Sequence, residues 1–108
     1  MPNIKQFEIY WAELDPTRGS EIQKTRPCVI VSPNELNNVL RTVIVVPLTS
    51  TIIDWPFRVL VLARGETTSA ACDQVRAISK ERLRGRVGEI TANEQEQLTD
   101  ILQSMFSM

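Results

Sequence analysis

A mainly β domain closed by one C-terminal helix is the fold class that the sequence predicts, on three observations. Short segments rich in apolar and β-branched residues recur along the first 90 positions, separated by polar loops and turn signals. The last 18 residues abandon that pattern for apolar residues at helical spacing. At 108 residues, 43% hydrophobic and 23% charged, the chain suits one core and is too short for two independent ones. Five or so short, mostly antiparallel strands with one closing helix form a small, strongly bent sheet or a partly open barrel. Residues 1–108 are read as a single domain, without internal repeats, low-complexity tracts or linkers.

The first strand is "FEIYWAEL", Phe7 to Leu14, aromatic and β-branched with imperfect alternation, as a strand with one wetter face reads. Asp15-Pro16 ends it and opens a polar loop, "TRGSEIQKT", that runs to Arg26. "PCVIVS" then reads as a buried strand, with Pro27 at its first position, where a missing N–H does least harm. "PNELNN" is a short helical turn or loop. "TVIVVPLTS", Thr42 to Ser50, is the third strand, and Pro47 demotes its end to an edge or a bulge. A mobile loop, "TIIDWP", leads to the strand Phe57 to Leu62, and "ARGETTS" turns the chain again. "AACDQVRAIS" is a strand interrupted near Asp73 and Gln74, and "RGRVGEI" is a last short one. Thr91 and Glu94 make a T-x-x-E capping box, with Leu98, Ile101, Leu102, Met105 and Phe106 on one helical face.

Composition excludes several chemistries. No apolar run approaches the length of a membrane span and the N-terminus lacks the pattern of a signal peptide, so a cytoplasmic location is expected. Cys28 and Cys72 have no CxxC spacing and are expected as small core residues. With no histidine in the chain, Ser-His-Asp hydrolysis, Cys-His proteolysis and His-ligated zinc are excluded. The net charge of −1 argues against a bulk polyanion binder, yet residues 1–90 carry 12 bases against 10 acids. The stretch "RAISKERLRGR", Arg76 to Arg86, holds five bases and one acid, a composition that suits either phosphate contacts or a solvated face.

Glu21, Arg26, Thr49, Ser50, Asp73, Gln74 and Arg76 are polar residues at strand ends or loops, where sites are usually mounted on a rigid sheet. Arg26 admits two readings: a strand-start arginine tied to carbonyls or to Glu21, or a permanently charged fork aimed at a phosphate. Thr49 and Ser50 either cap the backbone at a sheet edge or add hydroxyl donors at the same rim. Trp55 and Phe57, in the turn "DWPF", are candidates for stacking unpaired bases; burial is the preferred expectation for Phe57.

Four blocks in order, "DPTRGSE", "TRPCVIVSP", "VVPLTS" and "CDQVRAI", resemble the MazF/PemK family of toxins from toxin–antitoxin pairs. The resemblance implies an SH3-like barrel of the CcdB/PemK kind with an added C-terminal helix. It also implies a homodimer, a cognate antitoxin as protein partner, and a metal-independent endoribonuclease acting on single-stranded RNA without a cofactor. Carried over by motif, the catalytic residues are Arg26 and Thr49. The RNA-binding positions are Ser20, Glu21, Thr25, Ser50, Asp73 and Gln74.

Physical chemistry supports and limits this transfer. Attack by the RNA's own 2′-OH needs a proton acceptor, a donor for the leaving 5′-oxygen and positive charge near the phosphorane. Arg26 supplies the charge, but a guanidinium with a pKa above about 12 is a poor base. That leaves Glu21 as acceptor, or positioning and electrostatics in place of one. The chain also departs from the family pattern. Ile22 and Lys24 replace the loop's usual Gln and Gly, and Ser20, Thr25 and Ala71 stand where relatives place a histidine or an arginine. Two other functions fit the same fold: a gyrase-inhibiting toxin of the CcdB kind that cuts nothing, and an SH3-like binding module with a structural rim. Neither requires the Arg26 and Thr49 pair.

Overall fold

The computed structural model describes residues 3–14 and 24–108. Its strands are β1 (Glu8–Glu13), β2 (Thr25–Ile30), β3 (Thr42–Thr49), β4 (Arg58–Ala63), β5 (Glu66–Ala71), β6 (Arg76–Ser79) and β7 (Leu83–Glu89). A short helix α1 (Asn34–Val39) lies between β2 and β3, and α2 (Ala92–Met105) follows all the strands. Neighbouring strands run β4-β5-β3-β2-β1-β7, with β6 also paired to β3. All pairings are antiparallel. This is the expected bent, mainly β sheet with a terminal helix.

Bending explains why β2 and β3 read as unbroken apolar runs. Val29 and Val46 belong to one core, with Leu48, Val59, Val61 and the helix residue Leu98. Their chain neighbours Cys28, Ile30 and Val45 belong to a second core, with Tyr10, Leu14, Ile78 and Leu83. Both faces are therefore dry over Cys28–Ile30 and over residues 45–49, and alternation between apolar and polar residues is lost there.

Pro47 does not mark an edge or a bulge, as the sequence suggested; it sits inside a central strand. Val31 donates to the Ile44 carbonyl at 2.9 Å, which sets the phase of the β2–β3 ladder. In that phase Val29 and Val46 exchange hydrogen bonds, and Cys28 and Pro47 are a pair whose backbone groups point away from each other. On its other side β3 pairs with β6 through Thr42–Val45 and with β5 only from Leu48 onward. Pro47 falls at this seam, where a missing donor leaves no ladder bond unmade.

The turn expected over "ARGETTS" is much tighter. β4 and β5 form a hairpin paired from Arg58 and Ala71 to Ala63 and Glu66, leaving only Arg64 and Gly65 as its loop. Both have positive φ, +54° and +76°, the geometry of a two-residue turn that matches the twist of the flanking strands.

The helix start is as expected. Thr91 accepts from the Glu94 N–H, and the Glu94 carboxylate accepts from the Thr91 N–H at 2.8 Å. The other Glu94 oxygen accepts from the N–H of Leu62 at 2.8 Å, satisfying a donor on the edge strand β4. Leu98 is fully buried, and Ile101, Leu102 and Met105 pack on the same core. Phe106 departs from the expected apolar face: it follows the last helical residue with φ −105° and is 63% exposed. Leu98→Ala should cost about 2–5 kcal/mol, because it opens a cavity where sheet and helix meet. Thr91→Ala should cost about 1 kcal/mol through loss of one cap bond. Urea unfolding followed by far-UV circular dichroism measures both.

Candidate active site

The β1–β2 ladder pairs Ala12 with Arg26 and Glu13 with Thr25, and the Leu14 N–H donates to the Lys24 carbonyl at 3.1 Å. These contacts fix the residues on either side of segment 15–23, which lies outside the described residues together with Ser20 and Glu21. Lys24 has φ +72°, a conformation that costs a side-chain-bearing residue about 1–2 kcal/mol. Its neighbours in the ladder hold it there.

Arginines gather at the same place. Arg76 and Arg82 donate to the carbonyls of Leu14 and Glu13, each at 3.4 Å, and Arg84 pairs with the Glu13 carboxylate at 2.7 Å. Arg86 turns away to Glu8, at 2.6 Å. Burial pushes the Glu8 carboxyl up, but hydrogen bonds from Arg86 and the Lys5 backbone outweigh it and hold the pKa below the usual value. The basic segment 76–86 thus ties down the end of β1 rather than forming one open face.

Continuing the register that pairs Cys28 with Pro47 brings Arg26 level with Thr49, and Thr25 level with Ser50, at the common end of β2 and β3. Their side chains serve two concavities. Arg26, Thr25 and Ser50 line one of about 220 Å³, with Trp11, Arg64 and Thr68. Thr49 lines the other, of about 320 Å³, with Asp73 and Gln74 from the 3-10 turn Cys72–Gln74 and with Trp55 and Arg58. Thr49 ends β3 and Ser50 is the first residue beyond it, and the two enter different hollows. The structure therefore unites Thr49, Asp73 and Gln74, unites Arg26, Thr25 and Ser50, and sets these groups side by side.

Thr49 is buried, and its hydroxyl accepts from the Thr51 N–H at 3.2 Å. The capping role foreseen for it is real, and the hydroxyl keeps a proton to donate. Phe57 is 42% exposed and Trp55 54%, so the burial expected of Phe57 is not found. The turn lifts it outward: Arg58 N–H donates to the Trp55 carbonyl at 3.1 Å, with Pro56 at the second turn position. Among the described residues no cluster of three or more Cys, Asp or Glu side chains could hold a metal ion. No helix among them is long and apolar enough to cross a membrane.

Residues 5–106 match the family model described as PemK-like, MazF-like toxin of type II toxin-antitoxin system. The chain belongs to this family. Among PemK/MazF relatives, the endoribonuclease MazF9 of Mycobacterium tuberculosis is 37% identical over 110 residues, 92% of each chain. The endoribonuclease toxin MazF of Escherichia coli is 35% identical over 72 residues, covering 67% of this chain and 65% of its own. In structure the chain resembles MazF from Deinococcus radiodurans, with a TM-score of 0.88 and 24% identity over the whole of both chains. It also resembles a mycobacterial endoribonuclease solved in complex with its cognate antitoxin, with a TM-score of 0.82, 22% identity, and 97% and 96% coverage. The PemK/MazF fold expected from the motifs is the fold observed.

The residue that sequence reasoning missed is Arg58. Its position after "WPF" looked like an ordinary strand start, and only the pairing of Arg58 with Ala71 brings it beside Asp73. The cysteines are as expected, both buried. Burial pushes the Cys28 thiol up to about 12, against the pull of Arg76 and Arg26. Cys72 is pushed up to about 11, first by burial and then by the Asp73 charge. Neither is a thiolate near neutrality, so a disulfide reagent at about pH 8 should label neither until the protein is unfolded. Fast labelling of the native protein would contradict this burial.

Proposed function

We propose that this PemK/MazF-family chain is a sequence-specific endoribonuclease that cuts single-stranded RNA, mRNA included, and thereby inhibits translation and growth. The observation that carries the reading is the juxtaposition at the end of β3. The register sets Arg26 level with Thr49, and Thr49 opens into a hollow bearing Asp73, Gln74 and an exposed indole. The cation answers the need for positive charge near the phosphorane, the hydroxyl can orient the reacting groups, and the indole can stack on an unpaired base. The names of MazF9 and MazF, both endoribonucleases, support it.

In this reading Arg26 stabilises charge on the equatorial oxygens of the phosphorane, and Thr49 orients the phosphate or the 2′-OH. Glu21 takes the 2′-OH proton and passes it to solvent, and the leaving 5′-oxygen takes a proton from solvent water, so that no water is consumed overall. Ser20, Thr25, Ser50, Asp73 and Gln74 contact the RNA. The products are a 2′,3′-cyclic phosphate and a 5′-hydroxyl end; the displacement consumes no water and calls on no metal or cofactor. We further propose that residues 1–108 act as one domain, in the cytoplasm, as a homodimer held in check by a cognate antitoxin. A related endoribonuclease solved with its antitoxin supports that partner. Exposed Leu60 and Leu62 on β4 support the dimer.

Incubation with a long single-stranded RNA in EDTA tests the reaction. Wild type should cut; Arg26→Ala should lose about 10²–10³-fold in rate, as removal of a transition-state charge partner does. Thr49→Val, nearly isosteric, should lose about tenfold, equivalent to one hydrogen bond in the transition state. Intact RNA with wild type, or equal cutting by Arg26→Ala, would sink the proposal. Sedimentation at micromolar concentration should give a dimer, and a monomer there would remove that part of it.

A further inference from the structure

The group that organises the Thr49 hollow is Arg58, at the first position of β4. Its side chain is only 6% exposed, and it grips Asp73 with two prongs: Nε to Oδ1 at 2.8 Å and Nη2 to Oδ2 at 3.4 Å. The guanidinium also lies over the Trp55 ring, 5.1 Å from its centre. One buried cation thus fixes the orientation of two residues that face the hollow, through a planar fork on one and a cation–π contact on the other. The Asp73 side chain remains 32% exposed.

We propose that Arg58 is a positioning residue for base recognition: it aims Asp73 and Trp55 at an unpaired RNA base that carries an exocyclic amino group. This deepens the endoribonuclease reading and rests on it. The fork occupies one lone pair on each Asp73 oxygen, and an ionised carboxylate can only accept, so what it still offers the hollow is an acceptor beside a negative charge. Uracil meets such a group poorly, because its one Watson–Crick N–H stands between two carbonyl oxygens. Adenine, cytosine and guanine each present an amino group at that edge, and unpaired bases expose it. The half-exposed Trp55 ring supplies a stacking face that any base accepts, so discrimination falls to Asp73. Gln74 lines the same hollow with an amide that has both donor and acceptor groups.

The test is to cut a random-sequence single-stranded RNA pool with wild type, Arg58→Gln, Arg58→Lys and Asp73→Asn, and to sequence the new ends. Wild type should exclude uracil at one position of its site. Asp73→Asn, which gains an amide donor, should admit uracil at that position. Arg58→Gln should blur the preference there and nowhere else, with KM for a preferred oligonucleotide raised about tenfold, as for one lost charge-assisted contact, and kcat changed less. Arg58→Lys keeps the charge without the fork and should not restore the preference. Wild type that accepts uracil at every position overturns the proposal. So does Arg58→Gln with an unchanged site, or with a rate loss uniform over all sites. If wild type leaves the pool intact, the endoribonuclease reading falls as well, an outcome distinct from cutting with the wrong preference. Thermal unfolding accompanies each variant, and if Arg58→Gln does not fold, the Asp73→Asn result decides alone.

Discussion

Everything at the candidate site depends on β3 serving two halves of one sheet. Its first residues pair with β6, its middle with β2 and its last two with β5. A strand that changes partners must bend, and Pro47 stands where the change occurs. Beyond that seam the chain delivers Leu48 into a core while Thr49 and Ser50 fall on either side of the strand end. The reactive rim is placed by hydrogen-bond geometry laid down several residues away.

Charge is used differently around Glu13 and around Arg58. Around Glu13 and Leu14, arginines donate to backbone carbonyls and to one exposed carboxylate, contacts individually worth about 0–1 kcal/mol. Together they hold the end of β1 that pairs with Thr25 and Arg26. At Arg58 the arrangement is the reverse, with one nearly buried cation matched to one carboxylate. Removing either partner there leaves the other desolvated and unpaired, so the pair is a sensitive point although it adds little net stability.

Much of this was legible in the sequence. The capping box fixed the start of α2 because both of its bonds are local, and the apolar run of β2 announced a buried strand. Residues 72–74 were recognisable as an interruption because Asp and Gln cannot sit in a dry strand. Three features were hidden for a common reason, since each depends on contacts between distant residues. Pro47 looked like an edge because only the pairing phase reveals that its missing donor would have pointed into a gap. Arg64 and Gly65 looked like part of a long turn because Glu66 to Ser69 are polar or small, and only pairing with β4 makes them strand. Arg58 carried no local signal, and it becomes part of the site only because Ala71 lies opposite it. The family resemblance supplied the positions of Arg26 and Thr49, but it did not foretell that their side chains look into adjacent hollows.

Glu94 joins two events that are usually separate. The carboxylate that starts the last helix also covers the Leu62 N–H on the outermost strand. Until that helix forms, the sheet keeps an open edge beside the exposed Leu60 and Leu62, the kind of surface on which strands of different molecules stack. Because α2 follows every strand in the chain, a ribosome releases it last. The Leu62 N–H can therefore be covered only after all the strands have been made, and it is the first turn of the helix, where Glu94 sits, that closes this point of the edge.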